Sequence, residues 1–152
     1  MEISEDLNSK SIKFDKNNVL DYISNIYSAF ELIIDRDADY ENIDALSMAS
    51  DNVWCAGVIL GNPIENWKNI DFNTLKSTLY WNDETPQEAI IKDANPFDTL
   101  AWVINLRLSL NLNIPKGSKI ITGSVIKTRS PKKGDVVTYN VGNLSETKIR
   151  LI

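Results

Sequence analysis

Histidine is missing from this chain of 152 residues. Its absence removes the usual general base of Ser-His-Asp and Cys-His catalysis, together with any imidazole metal ligand. Cysteine occurs once, at Cys55. No intrachain disulfide can form, which accords with a reducing compartment and a cytoplasmic setting. The flanking Val53, Trp54, Ala56, Gly57 and Val58 are mostly apolar and suggest a buried structural thiol. No apolar run approaches the ~20 residues of a membrane span. The stretch Met1 to Lys10 is polar and acidic, unlike a signal peptide. Positive charge is also scarce, with a formal net charge of −5. The densest basic stretch, Lys127 to Lys133, is short and lies beside a turn signal, as a solvated loop would. A nucleic-acid surface needs a concentrated basic patch, so that class of partner is excluded.

What is present is globular: 43% hydrophobic and 24% charged residues, values that permit a packed core. No linker, repeat or low-complexity tract divides the chain, so residues 1–152 read as one domain. Asp15 is placed to cap a helix in which Val19, Ile23, Ile26, Tyr27 and Phe30 share a face, running to about Ala29. Glu31-Leu32-Ile33-Ile34 then reads as a short buried strand, and Asp35 to Asp51 as an acidic loop. Val53 to Leu60 is an apolar strand closed by Gly61-Asn62-Pro63. Ile70 to Trp81 suggests a further strand ending at the Asn82-Asp83 turn. The clearest element is a second helix: Asn95 as cap, Pro96 in its first turn, Asp98 three residues after the cap, and Phe97, Leu100, Ala101, Ile104 and Leu108 as the buried stripe. Pro115 and Gly117 end that region. Three β-rich runs follow, Lys119 to Val125, Asp135 to Val141 and Thr147 to Ile152, separated by turn residues. The fold class is therefore α+β with two main helices.

The order of these signals carries a resemblance. Asn95-Pro96-Phe97 opens a helix containing Leu100-Ala101-Trp102. Ile114-Pro115-Lys116-Gly117 and Ile120-Ile121-Thr122-Gly123-Ser124 follow, and Gly134-Asp135 precedes the closing strands. Earlier, Ala29-Phe30-Glu31-Leu32-Ile33-Ile34-Asp35-Arg36 and Ala49-Ser50-Asp51-Asn52 come in the same order, with Gly61 and Pro63 after them. The chain resembles the fumarylacetoacetate hydrolase superfamily, and within it the 2-keto-4-pentenoate hydratase / 4-oxalocrotonate decarboxylase branch. The resemblance runs from about Asp6 to the C-terminus. It implies a mixed β-roll of the C-terminal type of that superfamily and a lyase acting on a small 2-keto acid. It also implies Mg²⁺ or Mn²⁺ bound by carboxylates, an ion that acts as a hard Lewis acid on such substrates.

The resemblance also assigns roles. Glu31 matches the later of the acidic metal ligands, Arg36 and Asp51 match catalytic positions, and Asn52, Thr122 and Ser124 match substrate-binding ones. For Arg36 and Asp51 an ion pair bracing a loop is the plainer reading. Three positions depart from the pattern. The Glu-x-Glu metal pair would fall at or before Met1, so relative to the family the chain reads as truncated at its N-terminus. Trp54 stands where a serine is expected, and Asn95 where a histidine is. Glu2 and Glu5 are three apart and would face opposite sides of a strand. The missing ligands would come from the acidic N-terminus or from another chain, which makes a homo-oligomer or a partner subunit the expected assembly. The alternative is a non-catalytic paralogue kept for assembly or binding. Large apolar side chains at Trp67, Trp81 and Trp102 fit either a core or an oligomer face.

Overall fold

Strand pairing, not helix formation, takes up the first apolar stretch. The computed structural model describes residues 1–8 and 11–152, so Ser9 and Lys10, the end of the polar N-terminal stretch, lie outside the described residues. After strand β1 (Glu2–Ile3), Asp15 and Asn18 exchange side-chain and backbone hydrogen bonds that start a single 3₁₀ turn, Asn18–Tyr22. Strand β2 (Ile23–Asn25) follows and pairs antiparallel with β1, and β3 (Tyr27–Ile33) pairs antiparallel with β4 (Cys55–Pro63). The expected first helix is thus absent among the described residues. Its apolar positions are nonetheless the right ones, since Val19, Ile23 and Ile26 are buried. The break between β2 and β3 offsets the inside-outside alternation, so the buried positions fall at 23, 26 and 28. That spacing imitates a helical period, while β-branched residues favour the extended backbone.

Other boundaries shift for local reasons. Leu32 and Ile33 end β3, Ile34 follows it, and all three lie 39–55% exposed, so this run is not a buried strand. Asp44 accepts a hydrogen bond from the Ser47 amide and caps a short helix α1 (Ala45–Ser50) inside the acidic loop. Cys55 is half-buried at the start of β4, which continues through Gly61-Asn62-Pro63 instead of turning there. Asp71 folds residues 71–74 into a side-chain-capped turn, so β5 begins only at Lys76 (Lys76–Trp81). Its alternation is clean: Ser77 and Leu79 are buried, Lys76 and Tyr80 exposed. A turn at Asn82-Asp83 leads to β6 (Gln87–Ile90).

Helix α2 (Pro96–Ser109) is the main helix. Asn95 precedes it in a left-handed conformation and caps through its carbonyl, which accepts from the Thr99 amide, with no side-chain cap bond. Leu100, Ala101, Ile104 and Leu108 enter the core, where Ile3, Val19 and Ile114 meet them. Burying each larger side chain of this stripe contributes about 2 kcal/mol. Trp67 joins that core, Trp81 is half-buried and Trp102 stands 62% exposed on the outer face of α2. Strands β7 (Val136–Val141) and β8 (Ser145–Arg150) complete a four-stranded antiparallel sheet of order β6-β5-β7-β8. The segment expected as a strand at Lys119 to Val125 makes only an isolated bridge, Glu2 to Lys119, before Gly123 turns the chain at φ +68°. The result is α+β, with two α-helices and small sheets.

The β3–β4 pair is joined to the larger sheet through hydroxyl groups. Ser28 lies 2.9 Å from the Ser145 hydroxyl and 2.6 Å from that of Thr147, and all three residues are buried. The Ser145 hydroxyl also donates to the Asn62 carbonyl. Buried hydroxyls that satisfy one another fix a junction that apolar contact would leave free to slide. Gly61 sits at the closest approach: a Cβ there would collide with the Glu146 carbonyl and the Ser28 and Thr147 hydroxyls. A Gly61→Ala variant should therefore lose roughly 2–3 kcal/mol of stability by overpacking. Urea unfolding checks this, and a loss below about 0.5 kcal/mol, the range of ordinary surface changes, would contradict the account of the junction.

Candidate functional site

One cavity of about 530 Å³ lies between β3, the β5–β7 strands and the irregular segment after Ile120. Its wall is largely aromatic. Phe72 and Phe97 pack edge to face at 5.3 Å, and Phe30 lies 6.0 Å from Tyr139. The Tyr139 hydroxyl is pushed above its ordinary pKa by burial. Glu31, on β3, reaches the same cavity, and so do Thr122 and Ser124 from the opposite segment. The structure thus brings together three of the residues singled out from sequence. The Ser124 hydroxyl is engaged locally, donating to the Ile126 carbonyl at 2.5 Å and accepting from its amide at 3.3 Å.

The remaining candidates lie outside the cavity lining. Arg36 and Asp51 form an ion pair with side-chain exposures of 63% and 34%. Asn52 is exposed and donates to the Cys55 carbonyl at 3.4 Å. The Arg36–Asp51 pair ties the end of α1 to the chain just after β3, and Asn52 bonds within the turn that leads into β4. Trp54, beside them, packs 5.5 Å from Tyr40 and does not fill the cavity.

Two charged groupings at the cavity were not legible in the sequence. In the first, the Glu2 carboxylate accepts from the Tyr27 hydroxyl, from Asn25 at 3.0 Å and from Lys119 at 2.9 Å. Tyr27 lines the cavity. Its hydrogen bond, followed by those of Lys119 and Asn25, holds the Glu2 carboxyl down at about 2, and the same bond pushes the Tyr27 hydroxyl up to about 12. In the second, Arg129 grips Glu84 through two bonds of 2.8 and 2.9 Å and lies 4.3 Å from the Trp81 ring. Arg129 belongs to the basic stretch that reads as a solvated loop, yet it folds back onto the sheet. Its partner is 45 positions away, and nothing in the local pattern marks it.

The comparisons with known proteins agree with this architecture. No protein-family model matches the chain. The 2-oxo-hept-4-ene-1,7-dioate hydratase of Escherichia coli is 29% identical over 150 residues, 91% of this chain and 54% of that protein. The 4-oxalocrotonate decarboxylase of Pseudomonas putida is 25% identical over 141 residues, 86% of this chain and 53% of that protein. The solved 4-oxalocrotonate decarboxylase of Pseudomonas putida G7, complexed with magnesium and adipate, superposes with a TM-score of 0.85 at 21% identity, over 99% of this chain and 57% of that one. A form of it with calcium and acetate gives 0.82 at 23% identity, over 99% and 56%. A fumarylacetoacetate hydrolase family protein from Yersinia pestis CO92 gives 0.60 at 13% identity, over 99% and 66%. The chain resembles the hydratase and decarboxylase branch of the fumarylacetoacetate hydrolase superfamily. It spans about half the length of the curated relatives it matches.

For that branch the chemistry of the donors is the test of a metal. Glu31 is the one carboxylate among the residues lining the cavity. Among the described residues, no group of three or more Asp, Glu or Cys side chains converges where a cation could sit. Mg²⁺ and Mn²⁺ require several oxygen ligands, so the residues present here do not by themselves fit the ion. Glu2, the acidic residue of the first strand, is committed to Tyr27, Asn25 and Lys119.

The Glu2 cluster has a pH signature. The folded carboxyl titrates at about 2, below its usual 4.5. Its contribution to stability is therefore complete above the unfolded value and is lost as pH falls towards 2. Stability measured between pH 6 and 2 should fall more steeply in the unaltered protein than in Glu2→Gln. Parallel profiles would contradict the assignment.

Proposed function

We propose that this chain forms the keto-acid pocket of a hydratase/decarboxylase-type lyase and is incomplete as a catalyst alone. Its cavity receives the apolar body of a small 2-keto acid, and the ligands for a divalent cation come in part from outside this chain. One observation carries the second half of this reading: among the described residues, Glu31 is the only carboxylate lining a cavity of substrate size. The first half is supported by the fold shared with 4-oxalocrotonate decarboxylase and by the curated relatives named above. A Phe72–Phe97 and Phe30–Tyr139 wall suits a hydrocarbon chain and excludes water from it. Thr122, half-buried on the far side, takes the role of orienting a carboxylate, a role supported by its position in the lining. Arg36 and Asp51 act by bracing the end of α1 against the chain after β3, Asn52 by bracing the turn into β4, and their effect on a ligand is indirect.

The missing ligands come from a further acidic segment or a partner subunit, so residues 1–152 form one unit of a larger catalytic assembly, in a cytoplasmic setting that suits its lone thiol. A second reading, a non-catalytic paralogue retained for binding, is favoured by Trp54 and Asn95, which stand where the branch carries a serine and a histidine. The two readings part in one experiment. The purified chain is assayed with 2-oxoadipate and with 4-oxalocrotonate, with and without Mg²⁺, and then again after addition of a relative's segment bearing the Glu-x-Glu pair. The proposal expects 2-oxoadipate to raise the melting temperature, no turnover from the chain alone, and Mg²⁺-dependent turnover on completion. Turnover by the chain alone would sink the claim of incompleteness. A melting temperature unmoved by 2-oxoadipate, with no turnover after completion, would sink the keto-acid reading.

A further inference from the structure

The far wall of the cavity is a length of chain with no ladder to hold it. Residues 120–129 line the cavity, yet from 121 to 131 no described residue belongs to a helix or strand. The near end is fixed where Ile120 and Met1 exchange hydrogen bonds of 2.8 and 2.9 Å. The far end is fixed at Asp135, whose carboxylate accepts from the Lys132 amide at 2.8 Å, from Asn82 at 2.8 Å and from the Trp81 indole at 3.1 Å. Between these anchors, among the described residues, one side chain links the segment to the rest of the fold by hydrogen bonds. That side chain is Arg129, bound to Glu84 and stacked on Trp81. Every other hydrogen bond found within 121–131 is internal, the Ser124–Ile126 pair.

We propose that residues 121–131 are a gating strap over the cavity and that the grip of Arg129 on Glu84 and Trp81 is its latch. The geometry separates two tasks. Trp81 is a fixed post at the end of β5, held from its edge by Asp135 while its face receives the guanidinium. The latch therefore closes on two supports, Trp81 at the end of β5 and Glu84 in the turn that follows it. Val125 and Ile126 are half-buried apolar residues of the strap that line the cavity, and Gly123, at φ +68°, supplies a point where the backbone bends. Glu84 is 50% exposed. An ion pair so placed contributes little to global stability but is enough to set how often a strap without other ties opens. Thr122 and Ser124 ride on this strap, so opening would also withdraw the polar groups assigned to the ligand. In that respect the inference rests on the keto-acid reading, whereas the latch itself does not.

The test separates the two. Hydrogen exchange is followed by mass spectrometry on the unaltered chain, on Glu84→Gln and on Arg129→Lys. Arg129→Lys keeps the charge but loses the two-pronged bond. Amides of 121–130 should exchange about threefold to fivefold faster in both variants, the effect of losing or weakening one surface ion pair. Amides of α2 and β7 should be unchanged. Stopped-flow Trp fluorescence with 2-oxoadipate should show association and dissociation both accelerated. Strap amides that do not respond, or exchange that rises uniformly along the chain, would overturn the latch. Faster strap exchange with unaltered 2-oxoadipate rates would overturn the gate. If the unaltered chain shows no 2-oxoadipate signal, the keto-acid reading fails and the exchange data alone decide the latch.

Discussion

The close approach of β3 and β4 to β8 around Gly61 is the constraint on which the cavity depends. Only a residue without a Cβ lets the Ser28, Ser145 and Thr147 hydroxyls meet, and their mutual hydrogen bonds fix the small sheet against the large one. That junction decides where Phe30 and Glu31 lie relative to Tyr139 and Trp81. Polar groups define the register here because each buried hydroxyl is costly if left unpaired. The core around α2 supplies most of the apolar burial, but it would tolerate small slides that the hydroxyl junction does not.

Much of this was legible in the amino-acid sequence. The stripe from Leu100 to Leu108 located α2, and the turn residues after Gly134 located β7 and β8. What misled was the stretch from Val19 to Phe30. There a break between two strands reproduces a helical spacing, and only long-range pairing with Glu2–Ile3 and Cys55–Pro63 settles the matter. Ile120 to Ser124 carries strand-like residues without a partner strand, and residues that have no ladder to join remain irregular whatever their propensity. The site divided along the same line. Glu31, Thr122 and Ser124, singled out from ordered motifs, line one cavity. The Arg129–Glu84–Trp81 contact and the Glu2–Tyr27–Lys119 cluster join residues tens of positions apart, and no local pattern announces them.

The two charged groupings differ in kind. The Glu2 cluster is a static brace: three donors converge on one carboxylate and hold it ionised. It thereby removes the one acidic side chain of the first strand that could have served a cation. The Arg129 contact is exposed, modest in strength and placed where small energies govern an irregular segment. Together they leave a cavity with an aromatic wall, a single acidic side chain and one side without helix or strand. Such a lining does not by itself supply the several oxygen ligands that Mg²⁺ or Mn²⁺ requires.

That last point is the central claim, and Mn²⁺ binding followed by electron paramagnetic resonance tests it most directly. The purified chain is titrated with Mn²⁺ in the presence of 2-oxoadipate, against a matched solution without protein. The account predicts that the signal of free Mn²⁺ tracks the protein-free control throughout. A stoichiometric loss of that signal at micromolar Mn²⁺, abolished in Glu31→Gln, would show a complete cation site within this chain and contradict the account.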